Sequence, residues 1–285
     1  MRRKRAPRAI FGLVLTLGAL ALAVRSGHAE PHPNAAAAPN AAAAPDTTDA
    51  GADAARPTHP PVPAPNYAFI DASGDQPIRV LPAATPGPRT IVYLHGYCGD
   101  INAVGAFVPA AAGHGTLLAL LGDQPCKDKP GRFKWSNDIR GLDNRIQRAV
   151  RLVNRAQGLH LDPHDITLFG YSQGAVRAES LARFYASHYP RVILGGPPRR
   201  PKPGHFSHIR VIAVFGGEKE DTSDMLGGAG DLLAAGFHAR FFLLPGVDHG
   251  DFGGELEGNR ALSEILSFVS GDEPESAGEP SKVAQ

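Results

Sequence analysis

The chain is 285 residues long with 42% hydrophobic residues, enough for a sizeable core in one large domain or two small ones. Its 29 Lys and Arg against 28 Asp and Glu give a formal charge of +1, but the positive excess sits at the start of the chain. Without residues 1–29, which hold six basic and no acidic residues, 23 basic residues face 28 acidic ones and the charge becomes −5. No long basic stripe remains, which argues against nucleic-acid binding.

Residues 1–29 read as a secretory signal: a basic start, an apolar run from Ile10 to Val24, and small residues at Gly27 and Ala29 where a peptidase cuts. The run is shorter than the about 20 residues of a comfortable membrane span, which favours cleavage over a retained anchor. The expectation is an exported protein, periplasmic or extracellular, with no stable membrane insertion after signal cleavage. Residues 30–65 are almost all Ala, Pro, Asp, Asn and Thr, with two near-copies of PNAAAA. They offer too little apolar surface to offset ordering entropy and read as a disordered linker. A domain follows over 66–270, and the acidic stretch 271–285 reads as a disordered tail.

Within the domain, short apolar runs alternate with helical patterns, which predicts an α/β fold: a mostly parallel, doubly wound sheet of about eight strands with helices on both faces. The strands are expected at 67–72, 77–82, 89–96, 116–122, 165–170, 191–196, 208–217 and 239–246. TIVYL and ITLF are apolar on successive residues, the pattern of strands covered on both faces. Helices are expected at 141–157, 172–189, 224–236 and 259–269. Residues 141–157 place Ile146, Ala149, Val150 and Val153 on one face.

The stretch LFGYSQGAV contains a G-x-S-x-G pattern centred on Ser172. The strand DITLFG precedes it, a helical pattern follows, and Gly170 and Gly174 stand where side chains would clash in a sharp turn. Such a turn lifts the hydroxyl out at the carboxyl end of the sheet. A serine hydroxyl is a weak nucleophile at neutral pH and needs a base, itself oriented by an acid. His249, in PGVDHGDF after the last strand, is the best-placed base; His164 opens the strand before Ser172, on the wrong edge. The acid is expected in EKEDTSDM, after the strand ending at 217. Asp221 is the preferred choice there, with Glu220 and Asp224 as rivals. Backbone amides at Gln173 and at Tyr97, after His95 and Gly96, are the expected oxyanion-hole donors.

In the order IVYLHGYCGD, DITLFGYSQGAV, VIAVFGGEKED, LLPGVDHGDF, residues 67–270 resemble the α/β-hydrolase superfamily, and within it the secreted serine esterases and lipase-like members. The order reproduces oxyanion loop, nucleophile, acid, histidine, and the resemblance implies triad roles for Ser172, Asp221 and His249. Two departures stand out: HGYCG in place of the HGGG of one lipase and esterase group, and an acid loop one residue longer than the common G-x-x-D spacing, with Glu220 where the aspartate usually stands. In this fold Cys98 and Cys126 lie beyond neighbouring strand ends, so a disulfide is expected in an exported protein, stiffening the oxyanion loop. The connection 195–208 is too short for a large cap domain, and 124–141, with Phe133 and Trp135, is the better candidate for shaping a pocket. The cluster Arg199, Arg200 and Lys202 suits either an acidic substrate group or plain solvation.

The expected function is hydrolysis of carboxylic ester bonds in a small-molecule or polymeric substrate, through an acyl-enzyme and with no cofactor. Asp248, His249 and Asp251 lack the spacing of a metal site. A serine peptidase of the same fold and a non-catalytic binding protein built on it remain alternatives.

Overall fold

The computed structural model describes residues 68–84, 89–250 and 254–271. The expected signal (1–29), linker (30–65) and all but the first residue of the tail lie outside the described residues. In chain order the elements are β1 (Ala68–Ile70), β2 (Ile78–Leu81), β3 (Thr90–Leu94), α1 (Val108–His114, led by a 3₁₀ segment Ile101–Phe107), β4 (Thr116–Leu120), β5 (Gln124–Pro125), β6 (Phe133–Lys134), α2 (Ile139–Gln157), β7 (Ile166–Tyr171), α3 (Gln173–Phe184), β8 (Arg191–Gly195), β9 (Val211–Gly217), α4 (Ser223–Ala234), β10 (His238–Leu244) and α5 (Gly254–Ser270).

Eight strands form one sheet in the order β1-β2-β4-β3-β7-β8-β9-β10, with β5 and β6 a separate two-stranded hairpin. Only β2 runs against the rest, pairing antiparallel with both β1 and β4. The central strands are buried along their whole length: TIVYL in β3, ITLFGY in β7, VIAVFGG in β9. Alternate residues then feed two cores. Val92, Leu94, Ile166 and Leu168 pack with Leu142 and Ile146 of α2, Ala175 and Ala178 of α3, and Leu232 of α4. Ile91, Tyr93, Phe169 and Phe215 pack with Ala111 of α1 and Leu262 and Ile265 of α5. That two-sided covering is why these strands carry no polar alternation. β10 alternates exposed and buried residues, as an edge strand does.

α2 starts where the Asp138 side chain accepts a hydrogen bond from Gly141 N (2.9 Å) and ends at Gly158, left-handed at φ 65°. It starts two residues earlier than the sequence expectation because the cap lies upstream of the apolar periodicity. α3 is shorter than expected, closing at Tyr185. The sequence pattern also gave no sign of α1 or of the β5–β6 hairpin.

After β3 the chain moves to β4 on one side of the sheet and returns to β7 on the other side of β3. The crevice where such directions part, outside the carboxyl ends of the strands, is where open α/β sheets place their sites. His95, Ser172, Gly196, Glu220 and His249 all follow carboxyl ends there. The connection between β8 and β9 holds one 3₁₀ turn (Pro203–His205) and no cap domain.

Candidate active site

Ser172 links β7 to α3 at φ 52° and ψ −113°, a backbone conformation that non-glycine residues hold only when their surroundings enforce it. Several contacts enforce it. Ser172 N donates to Gly195 O at 2.8 Å, fixing the turn to β8. A Cβ on Gly174 would overlap Leu94's carbonyl oxygen, and one on Gly170 would overlap Gly174's own carbonyl, so strand and helix meet as closely as backbone allows. Serine is a favoured N-cap residue, yet here its side chain caps nothing and is left for another partner.

That partner is His249. Ser172 Oγ and His249 Nε2 are 3.1 Å apart, and His249 Nδ1 is 2.6 Å from Glu220 Oε2. A carboxylate only accepts, so Nδ1–H donates to Glu220 and Nε2 is left to accept the Ser172 hydroxyl proton. The imidazole ring lies 5.3 Å from that of Tyr171, whose hydroxyl accepts a hydrogen bond from Gly250 N at 2.6 Å. The strand that ends at Ser172 and the loop that carries His249 are thereby tied to each other.

The structure brings Glu220, not the preferred Asp221, to His249. A turn closes from Glu220 N to Gly217 O (3.2 Å), and Glu220 Oε1 accepts from Gly217 N at 2.6 Å, which leaves Oε2 directed at the imidazole. Asp221, one residue on, is exposed and accepts from Ser223 N at 3.0 Å, stabilising the entry to α4. Its hydrogen bonds with Ser223 hold its carboxyl below the ordinary value. Asp224 lies in the first turn of α4. The residues beside Glu220 fasten the acid loop to the histidine loop: Glu218 N donates to Leu244 O (3.0 Å), Lys219 N to Val247 O (2.9 Å), and Gly246 N to Glu218 Oε2 (2.8 Å).

Both expected oxyanion residues flank Ser172. Gln173 opens α3, so its N–H has no acceptor within the helix. Tyr97 lies in a turn closed by Gly99 N to Gly96 O at 3.1 Å, and a Cβ on Gly96 would stand 3.3 Å from Ser172 Cβ. The loop is held from beneath by His95, which is wholly buried. Gly122 N donates to His95 Nε2 (2.9 Å), so the ring proton sits on Nδ1 and is donated to Gly96 O (2.7 Å). Burial keeps the His95 pKa below its usual value, favouring the neutral form this requires.

Trp135 completes the support, donating from Nε1 to His95 O at 2.8 Å, while the Gln173 side chain brackets the Trp135 backbone (3.0 Å to its N, 3.2 Å to its O). Cys98 and Cys126 are joined in a disulfide, their Cα atoms 5.9 Å apart, and Phe133 N donates to Gly99 O. The hairpin, the turn at Gly96–Gly99 and α3 thus form one braced unit. Trp135 and Gln173 had no signal for this pairing in the sequence, since it joins a side chain to backbone atoms 38 residues away.

Among the described residues no three His, Cys, Asp or Glu side chains gather where they could hold a metal ion, and no helix is long and apolar enough to cross a membrane.

No family model matches the sequence, and no curated protein matches it. Solved structures do. A thermophilic esterase from the Planctomycetes species Thermogutta terrifontis, in its butyrate-bound form, superposes with a TM-score of 0.52 at 17% identity, covering 74% of this chain and 95% of that one. TT1662 from Thermus thermophilus gives 0.51 at 16% identity over 73% and 97%. The esterase PE8 gives 0.50 at 19% identity over 67% and 97%. With this strand order, this placement of Ser172 after a central strand and these neighbours, the chain has the α/β-hydrolase fold.

Proposed function

We propose that the protein is an exported serine hydrolase of carboxylic esters, with Ser172 as nucleophile, His249 as general base and acid, and Glu220 as the carboxylate that orients the histidine and stabilises its imidazolium. The observation that carries this reading is the continuous contact from Ser172 Oγ through His249 to Glu220, 3.1 Å and 2.6 Å, at a serine held in a strained turn with its side chain unused by the helix. Structural neighbours named as esterases support the ester chemistry, among them the Thermogutta esterase in a form phosphorylated by paraoxon.

In the proposed reaction Ser172 Oγ attacks the ester carbonyl as His249 Nε2 takes its proton, and Glu220 stabilises the imidazolium that forms. The amides of Gln173 and Tyr97 receive the charge developing on the carbonyl oxygen. Collapse of the tetrahedral intermediate returns the proton from Nε2 to the departing alcohol and leaves an acyl group on Ser172. Water, deprotonated by His249, then releases the acid. The disulfide and the absence, among the described residues, of a membrane-crossing helix are compatible with export.

The test is hydrolysis of short p-nitrophenyl acyl esters by wild type and Ser172→Ala, with labelling by a fluorophosphonate. The expected loss in the variant is on the order of 10⁴-fold or more in kcat. Equal rates in the two proteins, or a wild type that the fluorophosphonate leaves unlabelled, would overturn the reading.

A further inference from the structure

Arg177 stands four residues after Gln173, so the two side chains share a face of α3. They converge on one carbonyl oxygen: Trp135 O accepts from Gln173 Nε2 at 3.2 Å and from Arg177 Nη2 at 3.4 Å. Nη2 also donates to Asn137 Oδ1 at 2.7 Å. Both acceptors are neutral. Nε of Arg177 is shut off from solvent without a hydrogen-bond partner, and among the described residues no carboxylate forms an ion pair with this guanidinium. Burial lowers the Arg177 pKa, as does the neighbouring Arg199 cation, while Asp123 opposes them.

Other arginines of this molecule do have counter-charges. Arg200 is held by both oxygens of Asp231 (2.7 and 2.8 Å), Arg191 by Asp165 (2.8 Å) and Arg145 by Asp75 (2.8 Å). Arg199 reaches only to 3.6 Å from Glu179 Oε2, and that carboxylate already accepts from His205 Nδ1 (2.8 Å) and Lys202 N (3.2 Å). Beside the residue that follows the nucleophile there is therefore an excess of guanidinium charge. The depression that borders His249, with Pro197 and Pro198, is lined by the acids Glu220, Asp221 and Asp224, away from the Trp135 and Asn137 contacts that hold Arg177. A partly desolvated cation without a protein counter-ion is unfavourable by itself, and becomes favourable when a ligand supplies the anion.

We propose that Arg177, with Arg199 beside it, receives a carboxylate of the substrate, so that the enzyme prefers esters carrying a free acid group. The inference rests on the ester-hydrolase reading above and names its substrate class. A planar guanidinium matches a carboxylate in shape and charge, and in a half-buried position the pair is less screened than at an open surface.

The probes are monomethyl adipate against methyl hexanoate, for an acid on the acyl side, and 4-acetoxybutanoate against butyl acetate, for one on the alcohol side. Hydrolysis is followed by pH-stat titration. In at least one pair the wild-type kcat/KM should favour the acidic ester by about tenfold or more. Arg177→Gln should remove that preference while leaving the neutral ester within about twofold, and Arg177→Lys should restore part of it. A second arm is independent of turnover: calorimetry of both acidic esters with Ser172→Ala and with Ser172→Ala/Arg177→Gln, where the double variant should bind at least about tenfold more weakly. Equal or better use of the neutral member in both pairs, equal loss on both members in Arg177→Gln, or unchanged binding in the double variant overturns the proposal. A wild type that cleaves none of the four esters counts against the hydrolase reading alone, and the calorimetric arm then decides the anion site.

Discussion

Glutamate exceeds aspartate by one methylene, and at position 220 that length is used. One oxygen returns to Gly217 N while the other reaches His249, so the carboxylate is fixed by the same turn that carries it. Glu220→Gln keeps the shape but removes the charge that balances the imidazolium, and should lower kcat by about 10² to 10⁴-fold with little change in KM. Asp221→Asn touches only the start of α4 and should leave kcat within about twofold, with at most a small fall in the urea midpoint. Steady-state kinetics of the two variants on one p-nitrophenyl ester separates the roles. Ser172 and His249 were legible in the sequence because each is marked by its neighbours: two glycines at fixed offsets for the serine, the end of the last strand for the histidine. The acid was not, because EKEDTSDM offers four carboxylates in one short loop. The G-x-x-D spacing of the resembled superfamily pointed to Glu220 against the preferred Asp221, and the turn from Gly217 to Glu220, a backbone event, is what carries that side chain to His249.

At the scale of elements, the segment between β4 and α2 acts as a brace. It carries the hairpin, the disulfide partner of Cys98 and the Trp135 contacts beneath His95 and alongside Gln173. Replacing both cysteines by serine should lower stability by about 3 kcal/mol, since the bond closes a loop of some 28 residues, read as a fall in the urea midpoint. Because Cys98 adjoins Tyr97, kcat should fall as well, by more than KM rises. Gly174→Ala drives a methyl into the carbonyl of Leu94 and should destabilise by about 1 to 3 kcal/mol while displacing the start of α3. The brace was only partly readable beforehand. Two-residue strands are too short to show a period, and INAVGAFVPAAAGHG, which forms the 3₁₀ segment and α1, has no charged face to reveal a helical one.

For the molecule as a whole, the fold was the most legible property, because strands buried on both faces read as unbroken apolar runs and helices between them as striped ones. Acid sensitivity is a property of this scale too. Asp75, between β1 and β2, pairs with Arg145 and Arg148 of α2, and Arg145 also donates to Leu121 O just past β4. Burial acts to raise the Asp75 pKa, but hydrogen bonds from Arg145, Gln76 and Arg148 outweigh it and the net value lies below 3.8. A depressed carboxyl stabilises the fold above its unfolded pKa, and that contribution disappears as pH falls through the lower, folded value. Asp75→Asn should therefore lower the melting temperature at pH 7, with the gap to wild type closing on acidification below pH 3.8, as thermal scans across pH would record. The stitching of Glu218 and Lys219 to the segment 244–247 has a different reach. It makes acid and base a cassette. Anyone transplanting this site into another scaffold, or shuffling it with a homologous chain, must carry 217–220 and 244–250 as one exchangeable block, because a crossover between them separates His249 from the loop that sets its position.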